Sequence, residues 1–338
     1  MPPAATPDGP APPGLDLAAL VHIRRSLLLT LVAGLLLLVV FATLPPRPLI
    51  LHVLQKLAHP CVFGVIALAL LVLQRQRADA LARPVGLEYL LALAAATALG
   101  ALSEIGQMFT YRDPALHDVW LDARGAVCAL AFAASCDLRC RPRGREHLRG
   151  VYLTAALLLA LVIAAPLAWA SAAYANRAWR FPVLFVPESP LDTYFIAITD
   201  RPAARTPLET PWSRAPGERT LRVPLLTHPY SGVLLEEPSA DWSGFRTLLV
   251  DVVNPGRTPL ELTVRILDRA HAGRYPERFN ARFALPARSR QLLEVPVASA
   301  RTAPGGWAID LSQVASVDLF RSGAGGTREL LLNRLELR

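Results

Sequence analysis

Six polar side chains stand within or beside long apolar runs in the first half of the chain, and their spacing sorts them into pairs. They are Lys56, His59, Glu104, Gln107, Arg112 and Asp118. The first two are three residues apart, as are the third and fourth, and this spacing puts both members of a pair on one helix face. The last two follow in the next connection and at the start of the next apolar run.

This set offers two kinds of chemistry. Lys56 and Arg112 are suited to holding a phosphate, and arginine adds a bidentate fork. Glu104 and Asp118 can orient those cations or act as acid and base. The alternative is an interhelical ion-pair network that fixes helix register, since a buried charge needs a partner in either case. Lys56 is the only lysine among 35 basic residues, which favours a specific ligand role.

Metal and cofactor chemistry find little support. Cys136, Cys140 and His147 do not match a usual zinc spacing, and the sequence does not indicate two further ligands that converge on His59. The motifs of serine hydrolases, zinc proteases and P-loop enzymes lack a suitable context. We therefore expect no catalytic residue set, no metal and no cofactor.

A second candidate set lies in the last third of the chain. Aromatic rings there suit stacking on sugars, and charged groups suit hydrogen bonds to hydroxyls. The set comprises Trp242, Asp268, His271, Tyr275 and Arg278. The alternative is structural, because aromatic residues of a β-sandwich usually belong to its core and Asp268 with Arg278 can clamp a loop.

The composition indicates where these residues lie. Of 338 residues, 53% are hydrophobic and only 18% are charged, which excludes disorder, collagen and a small disulfide scaffold for the whole chain. A membrane span needs about 20 apolar residues. The runs predict an uncleaved first helix and four further spans, at 26–44, 49–73, 85–109, 116–136 and 150–174.

Arginine placement predicts the orientation. Five spans put three basic segments on one side: 24–25, 75–83 and 139–149. The positive-inside rule makes that side cytoplasmic. The N-terminus is then cytoplasmic, the C-terminal part is extracytoplasmic (periplasmic), and the six polar residues gather near the outer leaflet. The basic excess reflects topology and gives little support for nucleic acid binding.

The C-terminal part has the two-residue period of strands. Leu260–Ile266 alternates apolar and polar residues, and Asn254-Pro255-Gly256 predicts the turn before it. Further predicted strands are 191–199, 247–253, 282–285, 291–297, 316–320 and 329–337. The expected organisation is a disordered cytoplasmic tail (1–22), a transmembrane domain (23–140), a cytoplasmic loop and fifth helix (141–176), a connector (177–220) and an extracytoplasmic sandwich (221–338).

Four ordered motifs resemble the VanZ-like membrane proteins. They are Lys56-x-x-His59, Glu104-x-x-Gln107-x-Phe109, Arg112-x-Pro114-x-x-x-Asp118 and Gly125, within about residues 26–136. Three positions depart from the family pattern: Asp122 replaces an expected Asn, and His117 and Arg124 are unusual. The segment from Asp268 to Asn280 resembles sandwich domains appended to such proteins, which are similar to galactose-binding-like and carbohydrate-binding modules.

The sequence thus predicts a multi-pass α-helical membrane bundle followed by an all-β, jelly-roll-like sandwich. The resemblance implies a protein of the bacterial cell envelope, in the inner membrane, linked to tolerance of glycopeptide antibiotics such as teicoplanin. The preferred hypothesis is a non-enzymatic protein that binds an anionic lipid-linked component at the outer leaflet. Its partners are membrane lipids or lipid-linked envelope precursors and, for the sandwich, cell-surface glycan. The alternatives are a membrane enzyme acting on such precursors and a structural or sensory anchor.

Overall fold

The computed structural model describes residues 17–76, 83–110, 115–140, 144–198, 202–228, 230–239, 241–270, 278–297, 309–322 and 328–338. The chain divides into two compact units, Met1–Ala168 and Trp169–Arg338. Helices form the first unit and antiparallel sheets dominate the second.

Five long helices precede the strands: α1 (Leu17–Phe41), α2 (Leu49–Arg75), α3 (Val85–Gln107), α4 (Leu116–Cys136) and α5 (His147–Arg180). Each contains an apolar stretch long enough to cross a membrane. The protein is therefore a multi-pass membrane protein with five candidate spans, and the sequence-based expectation of about five is confirmed.

Proline residues set several helix boundaries. Pro48 and Pro84 immediately precede α2 and α3, because proline fits the beginning of a helix, where no N–H bond is lost. The first span is Val21–Phe41, earlier than the predicted 26–44. Residues 17–22, expected to be disordered tail, belong to α1, while 1–16 lie outside the described residues. Helix α5 extends beyond the predicted 150–174 at both ends.

Small residues allow α2 and α4 to pack closely. A Cβ on Gly125 would lie 1.9 Å from the carbonyl oxygen of Pro60, and a Cβ on Gly64 would lie 3.2 Å from the carbonyl oxygen of Gly125. Around this crossing, α2, α3 and α4 share a core that α1 joins through Val32 and Val39. Fully buried side chains of that core are Phe63, Ile66, Ala67, Ala92, Ala96 and Ala126.

Two antiparallel sheets form the sandwich of the second unit. The strands are β1 (Val183–Phe185), β2 (Ile196–Ile198), β3 (Ala204–Pro207), β4 (Arg219–Leu225), β5 (Gly232–Glu236), β6 (Thr247–Asn254), β7 (Leu260–Asp268), β8 (Phe279–Leu285), β9 (Ser289–Pro296), β10 (Val314–Arg321) and β11 (Arg328–Leu337). One sheet has the order β3-β4-β11-β6-β9, with β1 also paired to β11, and the other has the order β2-β5-β10-β7-β8. This architecture confirms the predicted fold class.

The structure differs from the expected organisation between residues 177 and 220. This segment was expected to be a connector with one early strand. It contains β1, β2 and β3, which pair with β11, β5 and β4. It is therefore part of the sandwich. Strands this short, one of them ending in a proline, carry too few alternating positions for the two-residue period to be visible.

The last turns of α5 also belong to the second unit. Arg177 is buried, donates to the carbonyl oxygens of Glu236 and Glu237, and lies over the ring of Phe195 at 3.3 Å. Asn176 Nδ2 donates to Asp192 Oδ1 over 2.6 Å. The chain thus enters the sandwich as an anchored helix.

Candidate functional site

A polar cavity lies at the end of the bundle where α2 begins, α3 ends and α4 begins. Its volume is about 290 Å³. It is lined by His52, Gln55, Lys56, His59, Ala115, His117 and Asp118. Four of these residues come from the first three turns of α2 and the rest from the start of α4. The structure therefore brings three of the six predicted residues, Lys56, His59 and Asp118, to one cavity.

Lys56 is exposed at this cavity. Within the described part of the chain, its ammonium has no hydrogen-bond or ion-pair partner. Three imidazoles line the same cavity, of which His52 and His117 are exposed and His59 is buried. A free cation beside a helix N-terminus, here that of α4, is an arrangement suited to an anion.

His59 is held by a carboxylate behind it. Its Nδ1 lies 3.1 Å from Asp122 Oδ1, and the two side chains are 4% and 0% exposed. Asp122 Oδ2 has no hydrogen-bond partner among the described residues. Gly100 of α3 makes room for this carboxylate, since a Cβ there would lie 2.8 Å from Asp122 Oδ2. The pair joins α2 to α4 across the bundle.

Glu104 and Gln107 do not line the cavity but support its wall. Glu104 Oε2 accepts the backbone N–H of Ala115 over 2.8 Å, and Gln107 Nε2 donates to Glu104 Oε1 over 3.2 Å. Both side chains are buried. They hold the residue that precedes α4, so their placement favours a supporting role over direct ligand contact. Arg112 lies outside the described residues.

Sequence reasoning missed four contributors to this site. His52, Gln55 and His117 line the cavity, and Asp122 orients His59. The spacing of Asp118 and Asp122, four residues apart in one helix, was a usable signal because such residues share a face. The sequence analysis noted His117 and Asp122 as departures from a family pattern and placed neither of them in the site.

A second polar network, also missed, closes the opposite end of the bundle. Buried Glu88 accepts Arg75 Nε over 3.0 Å and Arg139 Nη2 over 2.8 Å, and Arg75 Nη2 reaches Asp137 Oδ2 over 2.5 Å. Burial opposes ionisation of Asp137, but hydrogen bonds from the Arg139 N–H and from Arg75 outweigh it and lower its pKa. The network ties α2 and α3 to the 3₁₀ turn Leu138–Cys140.

The sandwich candidates are placed differently from the expectation. Trp242 is fully buried and donates Nε1–H to the carbonyl oxygen of Ser239 over 2.8 Å, so no ring face is open to a sugar. Asp268 is also fully buried and accepts the N–H groups of Ala270 and Asp310. Arg278 is half-buried, while His271 and Tyr275 lie outside the described residues.

A different polar surface occurs on the sheet β2-β5-β10-β7-β8. Arg265 Nε donates to Asn280 Oδ1 over 3.0 Å, and Arg265 Nη1 lies 3.6 Å from Asp318 Oδ2. Its guanidinium lies 4.3 Å from the ring centre of Phe320 and 5.8 Å from that of Tyr230, which is 57% exposed. Tyr230 is therefore an open aromatic ring on this surface.

Comparisons with known proteins identify no family. No protein-family model matches the chain, and no characterised protein matches it in sequence. Part of the chain is similar to an exo-β-agarase, with a TM-score of 0.34 and 16% identity over 43% of this chain and 23% of the agarase.

Two further solved structures are similar to part of this chain at a comparable level. A family 11 carbohydrate-binding module from Clostridium thermocellum, in complex with a β-1,3-1,4-mixed-linked tetrasaccharide, has a TM-score of 0.31 and 16% identity over 42% of this chain and 82% of the module. An arabinose-bound α-L-arabinofuranosidase has a TM-score of 0.32 and 16% identity over 44% of this chain and 24% of the enzyme. Likenesses at this level do not identify a function.

Proposed function

We propose that the bundle binds the anionic headgroup of a membrane lipid or lipid-linked envelope precursor in the cavity at Lys56. The observation that carries the proposal is this single exposed lysine, without a partner in the described part of the chain, at the mouth of a cavity lined by three histidines. The proposal places the protein in the bacterial inner membrane, with a cytoplasmic N-terminus and the cavity at the outer leaflet. The VanZ-like motifs support this reading and suggest a link to glycopeptide tolerance.

The electrostatics of the cavity support an anionic ligand. Lys56 and Asp118 have formal charges of opposite sign, so the positive end of the α4 helix dipole is the further contribution that favours an anion. Hydrogen bonds and ion pairs strengthen where water is scarce, as at the edge of a hydrocarbon core. A headgroup bound here would keep its acyl chains in the surrounding lipid.

The structure weakens the enzyme alternative. That hypothesis needs Glu104 and Asp118 as two carboxylates facing one substrate. Glu104 instead accepts from the Ala115 N–H and from Gln107, which leaves Asp118 as the carboxylate that lines the cavity among the described residues. The anchor alternative is favoured by the His59–Asp122 pair, which joins two helices, but it does not explain the unpartnered lysine.

The sandwich is the second part of the proposal. We assign it to the periplasm and to contact with cell-surface glycan through Tyr230, whose exposed ring lies beside Arg265 and Asp318. A ring with one open face and nearby hydrogen-bonding groups suits a sugar. Tyr230→Ala should lower retention of the full chain on peptidoglycan sacculi. Unchanged retention would contradict the proposed contact between Tyr230 and glycan.

Lipid analysis of the purified protein tests the headgroup site. Lys56→Gln should reduce co-purified anionic lipid about tenfold, because a charge-assisted hydrogen bond to phosphate is lost. Arg124→Gln is the matched control, since Arg124 is an exposed cation of α4 that does not line the cavity. Equal lipid content in both variants would contradict the proposal. Glycopeptide susceptibility of cells carrying each variant tests the envelope link separately.

A further inference from the structure

An apolar groove lies at the end of the bundle opposite the cavity at Lys56. Its volume is about 530 Å³, within the range of pockets that hold small ligands. The first turns of α3, the last turns of α4 and the first turns of α5 enclose it, all within the first unit. Most of its lining side chains are apolar, among them Leu90, Leu93, Val127 and Leu130.

The helices leave this groove open because α5 meets α4 only near its inner end. There the thiol of Cys128 contacts the carbonyl oxygen of Ala156, with Sγ and the oxygen 3.3 Å apart. Toward the beginning of α5, Leu148 and Tyr152 line the groove instead. Gly86 of α3 adds to the space, since a Cβ at this lining residue would meet no atom within 4 Å.

An acyl chain is the occupant that fits these walls. An empty gap would deprive the lining side chains of dispersion contacts. Ordered water needs two to four polar partners, which a wall of leucine and valine does not offer. The groove lies within three of the candidate membrane spans, so acyl chains surround it.

The mouth of the groove carries a surplus positive charge. Arg145 lines it, is exposed, and has no hydrogen-bond or ion-pair partner among the described residues. Arg139 also lines the mouth, but its Nη1 and Nη2 donate to Glu88 over 3.1 and 2.8 Å. The neighbouring carboxylate of Glu146 does not line the groove and accepts the N–H of Gly144.

We propose that the groove holds one anionic phospholipid, with an acyl chain between α3, α4 and α5 and its phosphate at Arg145. Surrounding lipid is as apolar as the groove wall, so the wall alone does not favour one phospholipid over another. The selectivity comes from Arg145, whose planar fork suits phosphate oxygens. Basic pockets between membrane helices bind anionic headgroups in this way. This site lies at the other end of the bundle from Lys56 and does not depend on the proposed site there.

Photolabelling in a bilayer tests the proposal. The full-length protein is placed in nanodiscs with phosphatidylglycerol or phosphatidylcholine that carries the same diazirine-bearing acyl chain, and adducts are mapped by peptide mass spectrometry. We expect about fivefold more adducts in segments 85–93 and 127–134 from phosphatidylglycerol, because one basic residue near the membrane surface favours an anionic lipid by about that factor. Leu37, an exposed residue of α1, is the reference for surrounding lipid and should be labelled equally by both.

The charge at the mouth is tested by two neighbouring arginines. Arg145→Gln should make groove labelling by the two lipids equal. Arg149→Gln is the matched control, because Arg149 is an exposed cation one turn farther along α5 that does not line the groove. It should keep the fivefold preference. Equal labelling by both lipids in wild type, or the same effect of both substitutions, would overturn the proposal.

The position of the acyl chain is tested by filling the groove. Gly86→Leu places a side chain in the open space beside α3, so groove labelling should be lost with both lipids. Gly34→Leu is the control, since a Cβ on Gly34 of α1 also meets no atom within 4 Å and Gly34 does not line the groove. Unchanged groove labelling in Gly86→Leu would overturn the placement of the chain. The wild-type comparison of two lipids needs no variant, so poor folding of Gly86→Leu does not block the test.

The position of the adducts separates this site from the one at Lys56. Lys56→Gln should leave groove labelling and its preference unchanged, whereas loss of both would contradict an independent site. Detergent tails compete for an apolar groove, so its lipid is measured in a bilayer and not as lipid that co-purifies in detergent. Either site can therefore fail without the other.

Discussion

Single glycines decide how closely the helices approach one another. A methyl group on Gly125 would meet the backbone of Pro60, with its carbonyl oxygen at 1.9 Å. Backbone atoms cannot move aside as a flexible side chain can, so α2 and α4 would have to separate. We expect Gly125→Ala to destabilise the bundle by about 2–3 kcal/mol, as overpacking does. Denaturation of the purified protein in mixed micelles measures this effect.

The control is another helical glycine. A Cβ on Gly34 of α1 would meet no atom within 4 Å, so Gly34→Ala tests the substitution without the clash. Because alanine favours helix over glycine, this variant should be as stable as wild type or slightly more stable. Equal losses in both variants would show that the crossing tolerates a methyl group.

Glu88 is the residue on which the network opposite the cavity depends. It is 2% exposed and pairs with both Arg75 and Arg139, while Asp137 pairs with Arg75 alone. Glu88→Gln removes the Glu88 charge and should destabilise the bundle by about 2 kcal/mol, less than a fully buried pair because both arginines are partly exposed. The same denaturation assay applies. Glu146→Gln is the control, since Glu146 is exposed and its removal should leave the unfolding midpoint unchanged.

Residue spacing predicted some of the buried polar residues of the bundle but not the partners with which they pair. Lys56 and His59 were predictable because a charge in an apolar run is costly and therefore has a purpose. Asp122 and Glu88 are buried charges in apolar runs as well, yet their partners, His59 and Arg139, lie 63 and 51 residues away in sequence. A local pattern does not contain pairings at such distances, so these partners could not be assigned from residue spacing.

Among the elements, β6 and β9 are joined by a charged cluster on their sheet. Arg290 of β9 donates to Asp251 of β6 over 2.6 Å and to Glu218 over 2.5 Å. Burial opposes ionisation of Glu218, but hydrogen bonds from Arg290 and the Arg214 N–H outweigh it, and the pKa is lowered. A lowered pKa gives stability that is present above the unfolded value of about 4.5 and is lost as pH falls through the folded value.

This linkage predicts a pH-dependent effect of one substitution. Glu218→Gln should lower the stability of the sandwich by about 1 kcal/mol at pH 7, and the difference from wild type should shrink as the pH falls below 4.5. Pulse proteolysis of the full chain in increasing urea measures it. Glu261→Gln, at an exposed carboxylate of β7, is the control. A difference that persists undiminished at low pH would contradict the linkage.

Strand length explains which elements of the sandwich were predictable. Strand β7 has nine residues that alternate between the core and the other face, and β6 and β11 are similarly long. Strands β1 and β2 have three residues each and β3 has four. These strands have too few residues to show a two-residue period in the sequence. Their strand conformation depends on pairing with longer strands.

For the whole molecule, the arginine asymmetry predicts which side each connection occupies. Reporter fusions after residues 80, 145 and 200 should report cytoplasm, cytoplasm and periplasm. A cytoplasmic signal at 200 would place the cavity on the inner leaflet and contradict the envelope assignment. Truncation after 200 removes most of the sandwich, so an insertion of the reporter into the intact chain is the necessary control.

The overall architecture was the most predictable level. Hydropathy identifies spans because lipid allows few alternatives to an apolar helix, and period-two segments identify a sheet domain. Helix α5 contains both a membrane span and residues that belong to the sandwich. The sequence predicted that its span ends near residue 174. The helix continues to Arg180 because Asn176 and Arg177 find partners in the sandwich, which hydropathy cannot detect.

Because Lys56 is the only lysine, the cavity can be labelled selectively with an amine-reactive reagent. Apart from the terminal α-amino group, Lys56 is the only amine in the 338 residues, and its side chain is exposed. An amine-selective acylating reagent therefore reports on this one position in the intact protein, without engineered labels. Peptide mass spectrometry should show slower acylation of Lys56 when phosphatidic acid is present, with the terminal amine as the internal reference. Occupancy of the cavity thus becomes measurable in native membranes.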